Sequence, residues 1–311
     1  MSQSHALSPA TATDWALVCA LGVIWGASFM SVTVALEGFA PLTVAAGRIA
    51  LAAVALWLVA RATGHGLPRL TTAEGRHIWA FAAAMALFSN AFPFFLLAWG
   101  QQHVASGFAG ITMATVPLFV LGLAHVFVPG DRMTPPRVAG FALGLSGVLL
   151  LIGVDALARS GAELEDIARL ACVGAAACYA IGSIITRRAP ATSLITFSAA
   201  ALAAAAVLIV PVALWVEGLP RWPAEAGARP VLAMLYLGLG PTALATLILV
   251  RVVRGAGPGF LAQVNYHVPV WSVVFGVTLL GETLPPQFLL ALALILAGLA
   301  VSRARAWRRR P

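Results

Sequence analysis

Apolar runs of about 20 residues, the length a helix needs to cross a bilayer core roughly 30 Å thick, follow one another along nearly the whole sequence. They predict transmembrane helices near 15–35, 41–60, 78–99, 104–127, 137–155, 168–187, 192–216, 230–250, 257–279 and 286–302. The joints hold the helix breakers and most of the charge. Examples are Pro41, the run Gly64, His65, Gly66 to Pro68, the pair Pro135 and Pro136, Gly255 and Gly257 with Pro258, and the pair Pro285 and Pro286.

Composition excludes a soluble domain. Hydrophobic residues make up 61% of the 311 and charged residues 10%, against roughly 45–50% and about 25% in soluble proteins. The surface that cannot be hidden in a core must face lipid. All 19 basic residues are arginine, scattered among short connectors, which does not make a nucleic-acid face. They read as topology signals. With the N-terminus inside, Arg61, Arg69, Arg76, Arg132, Arg137, Arg187, Arg188, Arg251, Arg254 and five arginines after residue 302 are cytoplasmic. Only Arg159, Arg169, Arg221 and Arg229 lie outside, so both termini are expected in the cytoplasm. The first 13 residues carry no Lys or Arg and no cleavable signal peptide is apparent. Cys19, Cys172 and Cys178 have no metal-ligand spacing and read as small core residues. A lysine-free chain has no phosphate-binding Gly-Lys-Ser/Thr loop, so ATP hydrolysis is not expected. An Ala- and Arg-rich composition without lysine fits a GC-rich bacterial genome, and hence the inner membrane.

The halves echo each other at an offset of 152 residues. Ser106, Gly107, Phe108, Val116 and Pro117 match Pro258, Gly259, Phe260, Val268 and Pro269. Gly130 and Asp131 then correspond to Gly281 and Glu282, the proline pairs follow, and Gly147 and Gly298 lie in the last span of each half. The expected division is a tail 1–14, a first repeat 15–155, a connector 156–167, a second repeat 168–302 and a basic cytoplasmic tail 303–311. Five spans per repeat is an odd number, so the second copy enters the membrane inverted. The fold class is therefore an all-α membrane protein of ten transmembrane helices, two inverted five-helix repeats around a central cavity. Alternating-access carriers are built this way, with cargo bound near the midplane.

These features resemble the drug/metabolite transporter superfamily, in its ten-span EamA-like branch of metabolite exporters. The resemblance is carried by Trp25, Gly26, Ala27, Ser28 and Phe29 in span one and by Arg48 in span two. It continues through Pro117, Gly130, Asp131 and Arg132, Tyr179 and Ala180, Pro269, and Gly281 with Glu282. It covers roughly residues 15–302. The family pattern more often has glutamate where Asp131 stands. The resemblance implies a helical basket lined by spans one, three, four, six, eight and nine, with amino acids, nucleosides or sugars as cargo.

Arg48 is the only charged side chain deep in a span, where a central arginine costs about 2.5–3.5 kcal/mol on insertion scales. Two readings stand: an anion contact for a substrate carboxylate, or a structural charge that snorkels outward or braces helix ends. The expected lining is aromatic and neutral: Trp25, Ser28, Ser89, Asn90, Thr112, Thr115, Tyr179, Ser183, Gln263, Tyr266, His267 and Trp271. Gln263, Tyr266 and His267 are spaced i, i+3, i+4 and so share a helical face. Such a lining suits an amphipathic or zwitterionic metabolite, although each Ser or Thr also has the alternative of bonding its own helix. His125 and His267 are the candidates for proton coupling. Asp131 and Glu282 are expected to cap helices or pair with loop arginines as the halves rock. Gly140 and Gly144 are expected to pack within their own half, with the chain a monomer.

The expected function is secondary export of amino acids or related metabolites, with no cofactor, no metal, no nucleic acid and no catalysis. A lipid-linked flippase is the alternative, and an intramembrane enzyme a remoter one. No acidic metal motif, nucleophile–base pair or His cluster lies within the spans.

Overall fold

A computed structural model describes residues 10–128, 133–153, 164–220 and 223–307. Ten principal helices form it: α1 (Ala12–Leu36), α2 (Pro41–Ala62), α3 (Ala73–Gly100), α4 (Ser106–Phe127), α5 (Pro135–Ile152), α6 (Leu164–Arg188), α7 (Leu194–Glu217), α8 (Ala228–Gly255), α9 (Val264–Leu280) and α10 (Pro286–Trp307). There is no strand among the described residues. The first eight helices are long and apolar enough to cross a membrane, and α9 and the Pro286–Ser302 part of α10 are shorter apolar helices.

Local chemistry explains the helix ends. Thr11 and Asp14 form a reciprocal capping box at the start of α1, and the Thr72 hydroxyl takes the Gly75 N–H at the start of α3. Prolines occupy the first turns of α2 and α5, where a missing N–H costs nothing. Two boundaries differ from the sequence expectation. The last span before the second proline pair starts at Val264 rather than at 257, because Gly257 turns the chain with φ 87° and only a four-residue helix, Pro258–Leu261, intervenes. Helix α10 also runs to Trp307, so the basic tail begins as helix.

The principal neighbours are α5 with α10, α2 with α7 and α4 with α9, while α1 lies against α8 and α9 and α6 against α3 and α4. Exchanging helices 1–5 with 6–10 leaves this set of pairings unchanged. Glycines let several of these helices approach closely. On α1, Gly22 faces His267 and Gly26 faces Trp271, and a methyl added at either would lie 2.5 or 2.4 Å from the facing Cβ. Gly140 and Gly298 are pressed together across α5 and α10, with Gly298 also against Gly144. Gly144 packs within its own half, against Leu118 of α4, whereas Gly140 departs from that expectation and serves the contact between halves, because its face of α5 meets Gly298 and Ser302 of α10.

Outward faces are apolar. Val54 and Val207 are exposed along helix middles, and Trp15, Trp57, Leu58, Trp215 and Leu290 nearer helix ends. That is the distribution of a bilayer-embedded bundle with tryptophans at its interfaces.

Candidate functional site

Helices α3 and α8 both change pitch midway. A π-helical segment spans Ala86–Ala91 in α3 and another Leu239–Leu244 in α8, at matching places in the two halves. Wider turns of this kind free backbone groups and often mark functional sites. In α8 the cause is legible. Pro241 has no N–H to offer the Leu237 carbonyl, and the Thr242 hydroxyl donates to that carbonyl instead, at 2.7 Å. The Pro241 carbonyl in turn accepts the Trp25 indole N–H at 2.9 Å. In α3, Asn90 donates its side-chain amide to Met85 O at 3.2 Å, and Pro93 follows directly.

Arg48 joins the π segment of α8 to the turn that follows the one in α3. Its Nε and Nη2 donate to the Thr242 hydroxyl at 3.2 and 3.1 Å, and its guanidinium lies 3.8 Å from the centre of the Phe94 ring, within cation–π range. The residue is 5% exposed, which does not suit outward snorkelling, and its hydrogen bonds go to a side-chain hydroxyl rather than to helix-end carbonyls. Phe94 meets Tyr179 edge-on at 6.5 Å. Tyr236 donates its hydroxyl to Ile24 O at 3.1 Å. Trp25, Arg48, Phe94, Tyr179, Tyr236 and Thr242 thus form one aromatic, singly charged cluster drawn from α1, α2, α3, α6 and α8.

Other expected residues have different surroundings. Thr112 and Thr115 are fully buried, and their hydroxyls donate to Ala109 O and Thr112 O of their own helix at 2.6 Å each. Ser183 does the same to Tyr179 O at 3.0 Å, Ser89 donates to the Met85 sulfur at 3.4 Å, and Ser28 is buried on α1. His267 and Trp271 seat on Gly22 and Gly26 of α1, with Trp271 stacked on Phe275 at 5.5 Å. Tyr266 is half-buried beside the main core, and Gln263 is the residue that precedes α9. Gln263 has helical dihedrals, φ −63° and ψ −28°, and its carbonyl accepts the Tyr266 N–H at 3.1 Å, so Gln263, Tyr266 and His267 lie on one helical turn at the start of α9. His125 is exposed at the end of α4 and accepts the Met133 N–H at 3.2 Å.

One end of the bundle is fastened by carboxylates. Helices α2 and α4 each have alanine at the N-cap, Ala40 and Ala105, and neither alanine can cap. Glutamates from the second half supply the missing acceptors. Glu217 receives Leu42 N at 2.8 Å, Thr43 N at 2.7 Å and the Thr43 hydroxyl at 2.8 Å. Glu282 receives Ser106 N at 2.7 Å and Gly107 N at 2.9 Å. Both place negative charge on the positive end of a helix dipole. Glu282 is thus a helix cap, whereas Asp131, its expected counterpart, lies outside the described residues. Beside Glu217 a cavity of about 430 Å³ is lined by residues that include Glu37, Thr43 and Gln102. None of the expected lining residues borders it.

A helical bundle with lipid-facing sides, broken helices and a buried polar cluster defines a multi-pass membrane protein of transporter type. The chain belongs to the EamA-like transporter family, whose pattern matches it twice, over residues 15–153 and again over 167–304. It is 30% identical over 296 residues to a probable terminal-alkyne amino-acid exporter of Streptantibioticus cattleyicolor, covering 95% of each chain. It is 29% identical to the inner membrane transporter YedA of Escherichia coli, covering 89% of this chain and 86% of YedA. To the aromatic amino acid exporter YddG of Ancylobacter novellus it is 29% identical, over 64% of this chain and 68% of that protein. A solved crystal structure shares the fold with a TM-score of 0.62 at 23% identity, over 97% of this chain and all of the other.

Proposed function

We propose that this protein is a secondary exporter of amino acids or related small metabolites in the inner membrane. It works by alternating access between two inverted five-helix repeats, α1–α5 and α6–α10, with ten spans in all. The observation that carries the reading is the pairing of helices, unchanged when the halves are exchanged, together with π segments at matching places in α3 and α8. A fold with that symmetry can present one central site to either side by rocking its halves.

The contacts between halves support the motion. Gly140 against Gly298 is a smooth, side-chain-free surface suited to sliding. The carboxylate caps of Glu217 and Glu282 are hydrogen bonds between the halves that must part and re-form as the halves rock. Arginine placement sets the orientation. The end bearing Arg61, Arg69, Arg76, Arg187, Arg188, Arg251 and Arg254 is cytoplasmic, and the end clasped by Glu217 and Glu282 faces outward. The direction of transport and the cargo class follow the chain's likeness to an amino-acid exporter and an aromatic amino acid exporter.

Expression in a bacterial host, with the medium compared with that of an empty-vector strain by metabolite profiling, tests the reading. The expected result is a selective rise of one amino-acid class outside the cells. No change, with the protein correctly inserted in the membrane, overturns it.

A further inference from the structure

Arg48 is a buried cation that pairs with no carboxylate among the described residues. It lies seven residues beyond Pro41, roughly 10 Å along the helix, and is 5% exposed. Of its five guanidinium N–H groups, two are used on the Thr242 hydroxyl, and the ring of Phe94 covers one face. No Asp or Glu pairs with it among the described residues. The carboxylates at the bundle ends are engaged there: Asp14 in its own capping box, Glu37 near Arg229, Glu217 and Glu282 on helix N-termini.

A hydroxyl and a π face compensate a desolvated guanidinium far less than a carboxylate does, and the planar fork of arginine matches a carboxylate's two oxygens. Aromatic rings stand about the charge: Phe94 lies on the guanidinium and Tyr179 meets Phe94 edge-on, while Trp25 and Tyr236 bond the Pro241 and Ile24 carbonyls nearby.

We infer that Arg48 is the specificity-determining anchor of the transport site and binds the carboxylate of the cargo, whose apolar body packs on these rings. The assignment rests on the transport reading above and deepens it. The cargo is a carboxylic acid or amino acid with an aliphatic or aromatic side chain, and the decarboxylated amine of the same shape is excluded. The competing role for Arg48 is a tie between α2 and α8 through Thr242 alone.

The test is binding, separate from export. Purified protein is melted, followed by its tryptophan fluorescence, with L-phenylalanine, L-leucine and L-methionine at millimolar concentration. Each is paired with its decarboxylated amine, and 3-phenylpropionate represents a carboxylate without an amine. At least one carboxylate should bind about tenfold more tightly than its amine partner, a difference of about 1.4 kcal/mol. Arg48→Gln should abolish the preference and Arg48→Lys weaken it. Thr242→Val, which removes the tie but leaves the cation, should retain more of the preference than Arg48→Lys does. Where Arg48→Gln fails to fold, the contrast between Arg48→Lys and Thr242→Val decides. Equal binding of acid and amine, or no stabilisation by any carboxylate, overturns the assignment even where the export assay is positive. Loss of the preference in Thr242→Val to the same extent as in Arg48→Lys assigns Arg48 to the tie and overturns it too. A carboxylate preference with no export in the medium assay leaves the anchor standing and overturns the transporter reading alone.

Discussion

Glu282 holds the first two free N–H groups of α4, Ser106 at 2.7 Å and Gly107 at 2.9 Å, from 176 and 175 positions away in sequence. The residue that would ordinarily cap this helix is Ala105, which has no acceptor, so the cap is tertiary and joins the halves. Removing it leaves two donors without a partner. Helix caps are worth about 0.5–2 kcal/mol, and bonds to a charged acceptor about 1.5–3. Glu282→Ala is therefore expected to lower stability by about 2 kcal/mol, and Glu282→Gln, which keeps one oxygen acceptor but no charge, by about half that. Thermal unfolding of the purified variants checks the order. Unchanged melting of both, with unchanged transport, refutes a role for the cap.

Glu217 fastens α2 in the same manner, and both caps lie at the end that the arginine pattern assigns to the outside. Cys172, fully buried against Gly100 near that end, is a natural reporter. In a background where Cys19 and Cys178 are alanine, a membrane-impermeant maleimide should react slowly with Cys172 in the wild-type clasp. The double variant Glu217→Ala with Glu282→Ala should react roughly tenfold faster, the factor that corresponds to about 1.4 kcal/mol of lost closure. Equal rates mean that the carboxylates do not hold this end shut.

Much of the fold is legible because lipid imposes a crude rule. A helix that crosses the bilayer must be apolar for its whole length, so counting apolar residues finds it, and Gly257 with Pro258 marks the break between α8 and α9. The positions of the polar groups are less legible. Arg48 stands out as an ion in an apolar run, yet its direction depends on Thr242 and Phe94, which reach it only through the folded bundle. Their signal was present in part: Pro93 and Pro241 interrupt spans, and a proline within a span frees a carbonyl that something must satisfy. Glu217 was missed for a similar reason. An alanine N-cap at Ala40 implies a missing acceptor, but not which acidic residue supplies it. Thr112 and Thr115 were expected at the lining as polar residues of an apolar helix, and the folded protein uses their hydroxyls on local carbonyls.

The contact between α1 and α9 makes a sharper stability prediction. A methyl at Gly26 would lie 2.4 Å from the Trp271 Cβ and 3.1 Å from the Ser272 backbone nitrogen. Neither is the free end of a flexible chain, so the helices must separate. Gly26→Ala is expected to destabilise by about 1–3 kcal/mol, the usual cost of overpacking. Gly122→Ala is the matched control. Its new methyl would meet nothing closer than the Phe141 ring at 3.6 Å, and helix propensity alone favours alanine by roughly 0.5–1 kcal/mol. Opposite shifts in melting temperature are the expected outcome. Equal shifts would mean that the close approach of α1 and α9 does not form.

Orientation in the membrane rests on the arginine count and has a direct test. Leu219, 88% exposed after α7, and Leu70, 65% exposed before α3, lie at opposite ends of the bundle. The first adjoins the Glu217 cap and the second falls in the Arg-rich connector between Arg61 and Arg76. Positive charge in short connectors is retained on the cytoplasmic side during insertion. In a cysteine-free background, Leu219→Cys should be modified by an impermeant maleimide in intact cells, and Leu70→Cys only after the inner membrane is opened. The reverse pattern would place the carboxylate clasp in the cytoplasm. The halves would then open outward when Glu217 and Glu282 are in place, and the Cys172 reporter would respond to reagent from the cytoplasmic side. Labelling of both positions in intact cells would instead put an odd number of crossings between residues 70 and 219 out of reach. It would leave fewer than ten spans in the membrane.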